Sequence, residues 1–166
     1  MTREEISSIV EKQRRYYDSG ATLPVERRIE ALKRLRRALI GNEETIADAI
    51  RQDLGKAQEE SYMCETGLVI SEISYLLRHI RSFAKEKTVV TPLAQFASRS
   101  YKKPSPYGVT LIMSPWNYPL LLTLDPLADA LAAGNTAIIK PSAYSPATSA
   151  LLQKLLGEIF SKEYVA

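Results

Sequence analysis

The chain has 166 residues, which is enough for one ordinary hydrophobic core and too few for two large domains. It carries 22 basic and 19 acidic residues, a net charge of +3, and these are interleaved, whereas a nucleic-acid-binding protein would need a basic stripe. A single cysteine excludes an internal disulfide bond, and the sequence shows no membrane-spanning run and no signal-peptide pattern, so we expect a cytoplasmic protein.

The predicted elements begin with an N-terminal helical layer, residues 1–97. Its predicted helices cover residues 3–19, 25–40, 42–53 and 59–87. The densest basic stretch, Arg27–Arg37, also carries apolar residues at helical spacing. That pattern favours the solvated face of an amphipathic helix over a cationic patch for a membrane or RNA.

Two residues of types that often carry chemistry lie in the last of these helices. Cys64 is close to Met63 and Leu68, which indicates a buried structural thiol rather than a nucleophile. His79 is the only histidine, and without a cysteine, an aspartate or a second histidine as partner it predicts no metal site. We expect His79 to be structural or solvated.

An extended arm is predicted for residues 98–108. The segment before it, 88–97, has weak periodicity and is interrupted by Pro92. Pro104 and Pro106 cannot donate hydrogen bonds in a sheet, so the arm is expected to be an edge element.

Residues 109–166 predict the opening of a Rossmann-like parallel sheet, and hence an α/β fold. The predicted strands are 109–113 and 136–140, the predicted helices are 118–133 and 146–160, and residues 164–166 resemble a third strand just beginning. Gly134 is a stop signal for the first helix, and Pro126 is expected to kink or restart it. This order places Asn117 and Lys140 at the same, carboxyl end of neighbouring parallel strands.

Asn117 has two interpretations. At the exit of a buried strand, its amide could donate a hydrogen bond to a developing oxyanion, as acyl chemistry requires. Alternatively, asparagine is a favoured N-cap and proline is tolerated in a first helical turn, so Asn117 and Pro119 could simply start a helix.

Two motifs carry a family resemblance. They are Pro115-Trp116-Asn117-Tyr118-Pro119 and Ile138-Ile139-Lys140-Pro141-Ser142, with Ala132-Ala133-Gly134-Asn135 between them. Together they resemble the N-terminal half of the NAD(P)-dependent aldehyde dehydrogenases, most closely the class 3 or fatty-aldehyde branch. The resemblance covers nearly the whole chain, including Asp53-Leu54-Gly55-Lys56.

The resemblance implies roles for particular residues. Asn117 would stabilise the oxyanion of the thiohemiacetal, and Lys140 would contact the adenosine ribose of the cofactor. The implied cofactor-binding set is Met113, Ser114, Pro115, Trp116, Lys140, Ser142 and Ala143. Tyr118 and Leu122 would line the substrate tunnel, although ordinary helix packing explains them as well. Many NAD-preferring relatives have glutamate at the position of Ala143, so alanine implies less discrimination against NADP.

The resemblance also implies what the intact protein does. It would oxidise aldehydes, of medium or long hydrophobic chain, to carboxylates with NAD or NADP. The family's nucleophilic cysteine, glutamate base and phosphate-binding loop lie past Ala166, and no GxGxxG occurs here, so we expect an inactive N-terminal fragment. The arm would bridge subunits of a homo-oligomer, such as a dimer. The alternative is a non-catalytic module that docks its strand edge or its arm against a partner.

Overall fold

The computed structural model of the protein describes residues 2–166, which form a mixed α/β fold as predicted. The helices are α1 (Arg3–Asp18), α2 (Val25–Gly41), α3 (Glu43–Leu54), α4 (Gln58–Ser61), a π-helical turn (Tyr62–Thr66), α5 (Gly67–Phe83), a 3-10 turn (Leu93–Gln95), α6 (Leu121–Ala133) and α7 (Pro146–Ile159). The strands are β1 (Lys87–Val89), β2 (Ser100–Lys102), β3 (Val109–Met113) and β4 (Thr136–Lys140).

One hydrophobic core joins the N-terminal helices to the parallel sheet. Helix α2 buries Ala31, Leu32, Leu35 and Leu39, while Arg27, Lys33 and Arg37 are exposed, as its amphipathic pattern predicted. The same cluster continues through α3, α5, α6, α7 and the sheet. Helices α1 and α6 pack directly against the two strands of the sheet.

The stretch predicted as one helix over residues 59–87 is divided into three pieces. Between α4 and α5, the chain makes a π-helical turn in which the Gly67 amide donates to the Tyr62 carbonyl. A Cβ on Gly67 would stand 2.8 Å from that carbonyl oxygen, so glycine permits the wide turn. The extra residue turns Glu65 inward, where it is fully buried.

The arm is part of a short antiparallel hairpin. Strand β2 pairs with β1, with Thr88 opposite Tyr101, so the hairpin crosses the predicted boundary between residues 97 and 98. The predicted helix end at residue 87 is wrong, because α5 ends at Phe83 and Lys87 already belongs to β1. All three residues of β1 are exposed. A strand with no buried face needs no alternation of apolar and polar residues, so the sequence carried no pattern that indicated it.

The parallel sheet has the predicted topology. Strand β3 pairs with β4 in parallel, from Val109 opposite Thr136 to Met113 opposite Lys140. On the other edge of β4, Val165 forms a parallel bridge with Ala137, and the Ala166 amide donates to the Ala137 carbonyl at 3.0 Å. The predicted start of a third strand is thus confirmed.

Helix α6 differs from its prediction at two points. It begins at Leu121 rather than at residue 118, and it runs unbroken through Pro126 to Ala133, so the predicted restart is wrong. The proline removes one backbone donor without ending the helix. Gly134, with φ of +93°, ends it as expected, because that left-handed conformation suits glycine.

Candidate active site

The carboxyl ends of β3 and β4 lie side by side. Met113 is the register partner of Lys140, and the Ser114 amide extends the ladder by donating to the Lys140 carbonyl at 3.3 Å. Partners in a parallel pair point to the same face of the sheet. The Met113 side chain is 70% exposed and Lys140 is exposed, so both lie at an open surface beside the loop that carries Asn117.

Asn117 is exposed, and within residues 2–166 its side-chain amide makes no hydrogen bond. The N-cap interpretation is wrong, because the N-cap position of α6 is Leu120 and the Asn117 side chain makes no hydrogen bond to the helix start. The amide is therefore available to a ligand at the surface. An exposed amide without a partner is compatible with an oxyanion donor, and the role itself stays a prediction.

Lys56 holds the backbone of this loop from behind. Its Nζ atom donates to the Asn117 carbonyl at 3.1 Å and to Glu65 Oε1 at 2.7 Å. It also lies 4.0 Å from the centroid of the Tyr118 ring, which adds a cation–π contact. Three contacts therefore converge on one ammonium group.

Glu65 caps the helix that follows the loop. Its Oε2 atom accepts from the backbone amides of Leu120 at 2.9 Å and Leu121 at 3.2 Å. A carboxylate here satisfies amides that the first helical turn leaves unpaired and suits the positive end of the helix dipole. Sequence reasoning missed Glu65, because its inward direction depends on the π-helical turn. Lys56 belongs to the Asp53–Lys56 segment that shares the family resemblance, but its sequence position gave no indication that it would contact Glu65 and Asn117.

A buried hydroxyl pair fixes the start of the loop. Thr123 Oγ1 lies 2.6 Å from Ser114 Oγ and 2.6 Å from the Pro119 carbonyl oxygen. The Ser114 side chain is thus turned into the protein, and what it offers a cofactor is its backbone. Trp116 is 51% exposed, and Tyr118 and Leu122 are each 38% exposed, so all three are partly open to solvent.

The loop after β4 is held by an acidic residue of α3. Asp53 accepts from the amides of Ala147 at 3.0 Å and Thr148 at 2.7 Å, and so caps α7. Ser142 Oγ accepts from the Tyr144 amide at 3.2 Å, while Ala143 is exposed. The α3 C-terminus and the residues after it therefore hold both loops that follow the parallel strands, through Asp53 and Lys56.

The other candidate residues lie elsewhere. Cys64 is only half-buried in the π-helical turn, and not buried as expected. His79 is exposed on α5, with its ring centroid 4.5 Å from that of Tyr75 and 5.9 Å from that of Phe83. In the described part of the chain, no three histidine, cysteine or acidic side chains are grouped as a metal site would require. Nor is any helix there long and apolar enough to span a membrane.

Comparison with known proteins decides the family. The profile described as "Aldehyde dehydrogenase family" matches residues 1–163. The chain belongs to the aldehyde dehydrogenase family. The resemblance seen in the two motifs is thereby confirmed, and membership indicates an oxidoreductase.

Two relatives and two solved structures show the extent of the similarity. The chain is 39% identical to the 4,4′-diaponeurosporen-aldehyde dehydrogenase of Staphylococcus aureus, over 92% of this chain and 35% of that protein. It is also 39% identical to the aldehyde dehydrogenase family 3 member H1 of Arabidopsis thaliana, over 92% of this chain and 31% of that protein. The substrate-bound S. aureus AldH superposes with a TM-score of 0.94 at 37% identity, over 96% of this chain and 35% of that one. The S. aureus betaine aldehyde dehydrogenase, solved with NAD⁺, superposes with a TM-score of 0.87 at 26% identity, over 99% of this chain and 32% of that one.

The chain therefore spans about a third of the length of the relatives that it matches. The matched portion is the N-terminal part of their fold. The family 3 relative agrees with the class 3 character of the motifs. Nicotinamide cofactors belong to this family, as the NAD⁺-bound structure illustrates.

Proposed function

We propose that this chain supplies the oxyanion donor and part of the cofactor groove of an NAD(P)-dependent aldehyde dehydrogenase. The nucleophilic thiol and the general base would lie outside these 166 residues. Cys64 is unsuited to be the nucleophile, because it lies in the π-helical turn among residues that brace the Asn117 loop from behind. The chain alone would then be inactive.

One observation carries this proposal. Asn117 has an exposed amide without an internal partner, while its own backbone carbonyl is held by Lys56. An amide N–H carried on a backbone held in this way could donate to the oxygen of an aldehyde as a thiolate adds to its carbon. Because an amide does not titrate, its contribution would be independent of pH in the neutral range.

The residues at the strand tips fit a dinucleotide. Lys140 offers an exposed ammonium for ribose hydroxyls, and Met113 and Trp116 offer exposed apolar surface for flat rings. The backbone of residues 113–116, with Ser142 and Ala143, would complete the part of the groove present here. Bound there, the cofactor supplies the acceptor for the hydride that leaves the aldehyde carbon.

The substrate would be a hydrophobic aldehyde of medium or long chain. Tyr118 and Leu122 are half-exposed next to Asn117 and could line its path. A cytoplasmic location and a homodimeric assembly through the arm remain predictions.

Turnover measurements test this function. The full-length protein is mixed with a long-chain aldehyde and NAD⁺ or NADP⁺, and the absorbance of the reduced nicotinamide is followed. We expect turnover by the full-length protein and none by this chain alone. No turnover by the full-length protein with any aldehyde would contradict the assigned reaction, and turnover by this chain would contradict the placement of thiol and base.

A second candidate is a non-catalytic interaction module, favoured by the apolar surface of the hairpin region. Val90, Leu93 and Phe96 are 93%, 89% and 88% exposed. Exposed apolar groups in a cluster often mark an interface. A stable complex with a partner chain on size-exclusion chromatography, together with no turnover by the full-length protein, would favour this candidate.

A further inference from the structure

An almost water-free ion pair lies directly behind the loop that carries Asn117. Lys56 Nζ and Glu65 Oε1 are 2.7 Å apart, and the two side chains are only 12% and 0% exposed. Removing one partner of a buried pair leaves the other charge uncompensated, so neither side chain can leave freely. The pair is therefore a fixed support.

Both partners of the ion pair also form hydrogen bonds to the backbone of this loop. Lys56 binds the carbonyl of Asn117 itself. Glu65 binds the amides of Leu120 and Leu121, where the loop becomes α6. The loop is thus anchored at Asn117 and again at the start of the helix, from the same ion pair.

The Asn117 side chain has no anchor of its own within the described residues, so its position is set by its backbone. Electrostatic stabilisation of an oxyanion requires a donor that is fixed before the reaction. We propose that Glu65 and Lys56 are positioning residues for the Asn117 amide, an inference that rests on the proposed function. Neither residue touches the reacting atoms.

Asp53 provides a matched contrast. It also caps a helix with a carboxylate that accepts from two backbone amides, but that helix is α7. Losing its charge in Asp53→Asn weakens a similar cap, and Asp53 makes no hydrogen bond to the Asn117 loop. Any effect specific to Glu65 therefore separates positioning from helix capping in general.

The test is steady-state kinetics on the full-length enzyme with Glu65→Gln and Asn117→Ala, alone and combined. Glu65→Gln should lower kcat about tenfold and change the aldehyde KM by less than about twofold, because the donor is kept but no longer fixed. The double variant should be no slower than Asn117→Ala alone, since a misplaced donor and an absent one lose the same interaction. The effects of Asp53→Asn and Asn117→Ala on kcat should instead multiply when the two substitutions are combined.

A second pair of variants covers the case in which Glu65→Gln does not fold. Lys56→Arg keeps a cationic donor and should retain more of kcat than Lys56→Met. Equal kcat in these two variants, or multiplicative effects of Glu65→Gln and Asn117→Ala, would overturn the positioning role.

Failure of the proposed function would look different. If Asn117→Ala kept full kcat, Asn117 would not be the oxyanion donor, and the support of the loop would be judged by hydrogen exchange in this chain. The amides of Leu120 and Leu121 should exchange faster in Glu65→Gln and not in Asp53→Asn. Unchanged exchange in Glu65→Gln would overturn the structural basis of the inference.

Discussion

The guanidinium of Arg28 lies against the backbone of Gly134, so closely that a Cβ at that glycine would stand 2.8 Å from Arg28 Cζ. The guanidinium cannot move aside easily, because it donates to the carbonyls of Thr22, Leu23 and Ala132. This contact joins α2 to the turn between α6 and β4. It therefore sets where β4, and Lys140 at its end, lies relative to the helical layer.

Gly134→Ala should destabilise the protein by about 3 kcal/mol. The substitution combines a left-handed backbone, at φ of +93°, with a clash against an anchored side chain. Gly157→Ala is the matched control, because it lies in α7 with nothing within 4 Å of an added Cβ, and it should stabilise by about 0.5–1 kcal/mol. Urea unfolding measures both. Equal midpoints for the two variants would contradict this account of the turn.

Asp53→Ala should cost about 1–2 kcal/mol, because it removes the carboxylate that caps α7 through the amides of Ala147 and Thr148. Asp48 lies on the same helix but forms an exposed ion pair with Arg51. Asp48→Ala should therefore change stability by no more than about 0.5 kcal/mol. Thermal unfolding of the two variants distinguishes the cap from a loss of charge on α3.

The acidic groups between α5 and α6 predict a pH dependence. Burial raises the pKa of Asp125, and the pKa values of Asp129 and Glu72 are raised by burial and by their acidic neighbours. A raised folded-state pKa means that the folded protein binds the proton more tightly than the unfolded one. Stability contributed by such a group is present below the ordinary carboxyl pKa, roughly 4, and is lost as pH rises through the raised value.

Asp125→Asn should therefore stabilise the protein at neutral pH, and the gain should shrink as pH falls through the raised pKa of Asp125 and be gone below about 4. Glu26 provides the opposite sign, because the hydrogen bond from Arg81 lowers its pKa. Glu26→Gln should weaken the protein slightly at neutral pH and converge with the unmodified chain in acid. Denaturant midpoints across pH test both. The same pH trend in the two variants would contradict the assignment.

Ala143→Glu should shift cofactor preference of the full-length enzyme toward NAD by about tenfold, or roughly 1.4 kcal/mol. The new carboxylate could bind ribose hydroxyls and would repel the additional phosphate of NADP. Ala143→Gln, of the same length but uncharged, is the control and should shift the preference less. The ratio of kcat/KM for the two cofactors is the measurement. An unchanged ratio in the glutamate variant would refute the placement of Ala143 beside the ribose.

The sequence predicted the parallel part of the fold well, because its signals there are local. Apolar runs that end abruptly marked β3 and β4, Gly134 marked the end of α6, and the third strand was visible in residues 164–166. These features fixed the side-by-side strand ends. Glycines that end helices and apolar runs that form strands are local features, and they can be recognised in a single sequence.

The support behind the candidate site could not be predicted, because it depends on long-range contacts. Glu65 meets Leu120 across 55 positions of sequence, and its direction follows from one extra residue in the π-helical turn. The helical spacing of apolar residues over 59–87 did not reveal the one inserted residue, so this segment was predicted as a continuous helix. The start of α6 was predicted too early for the same reason, since its cap comes from Glu65 and not from Asn117.

The central claim concerns the Asn117 amide, and its most direct measurement is kcat of Asn117→Ala in the full-length enzyme. The account predicts a fall of about 10²–10³-fold in kcat, typical of losing one oxyanion donor, with the pH profile unchanged. The unfolding midpoint should also stay the same, because the amide is exposed and has no partner among residues 2–166. Full kcat in this variant, with the protein folded, would contradict the claim.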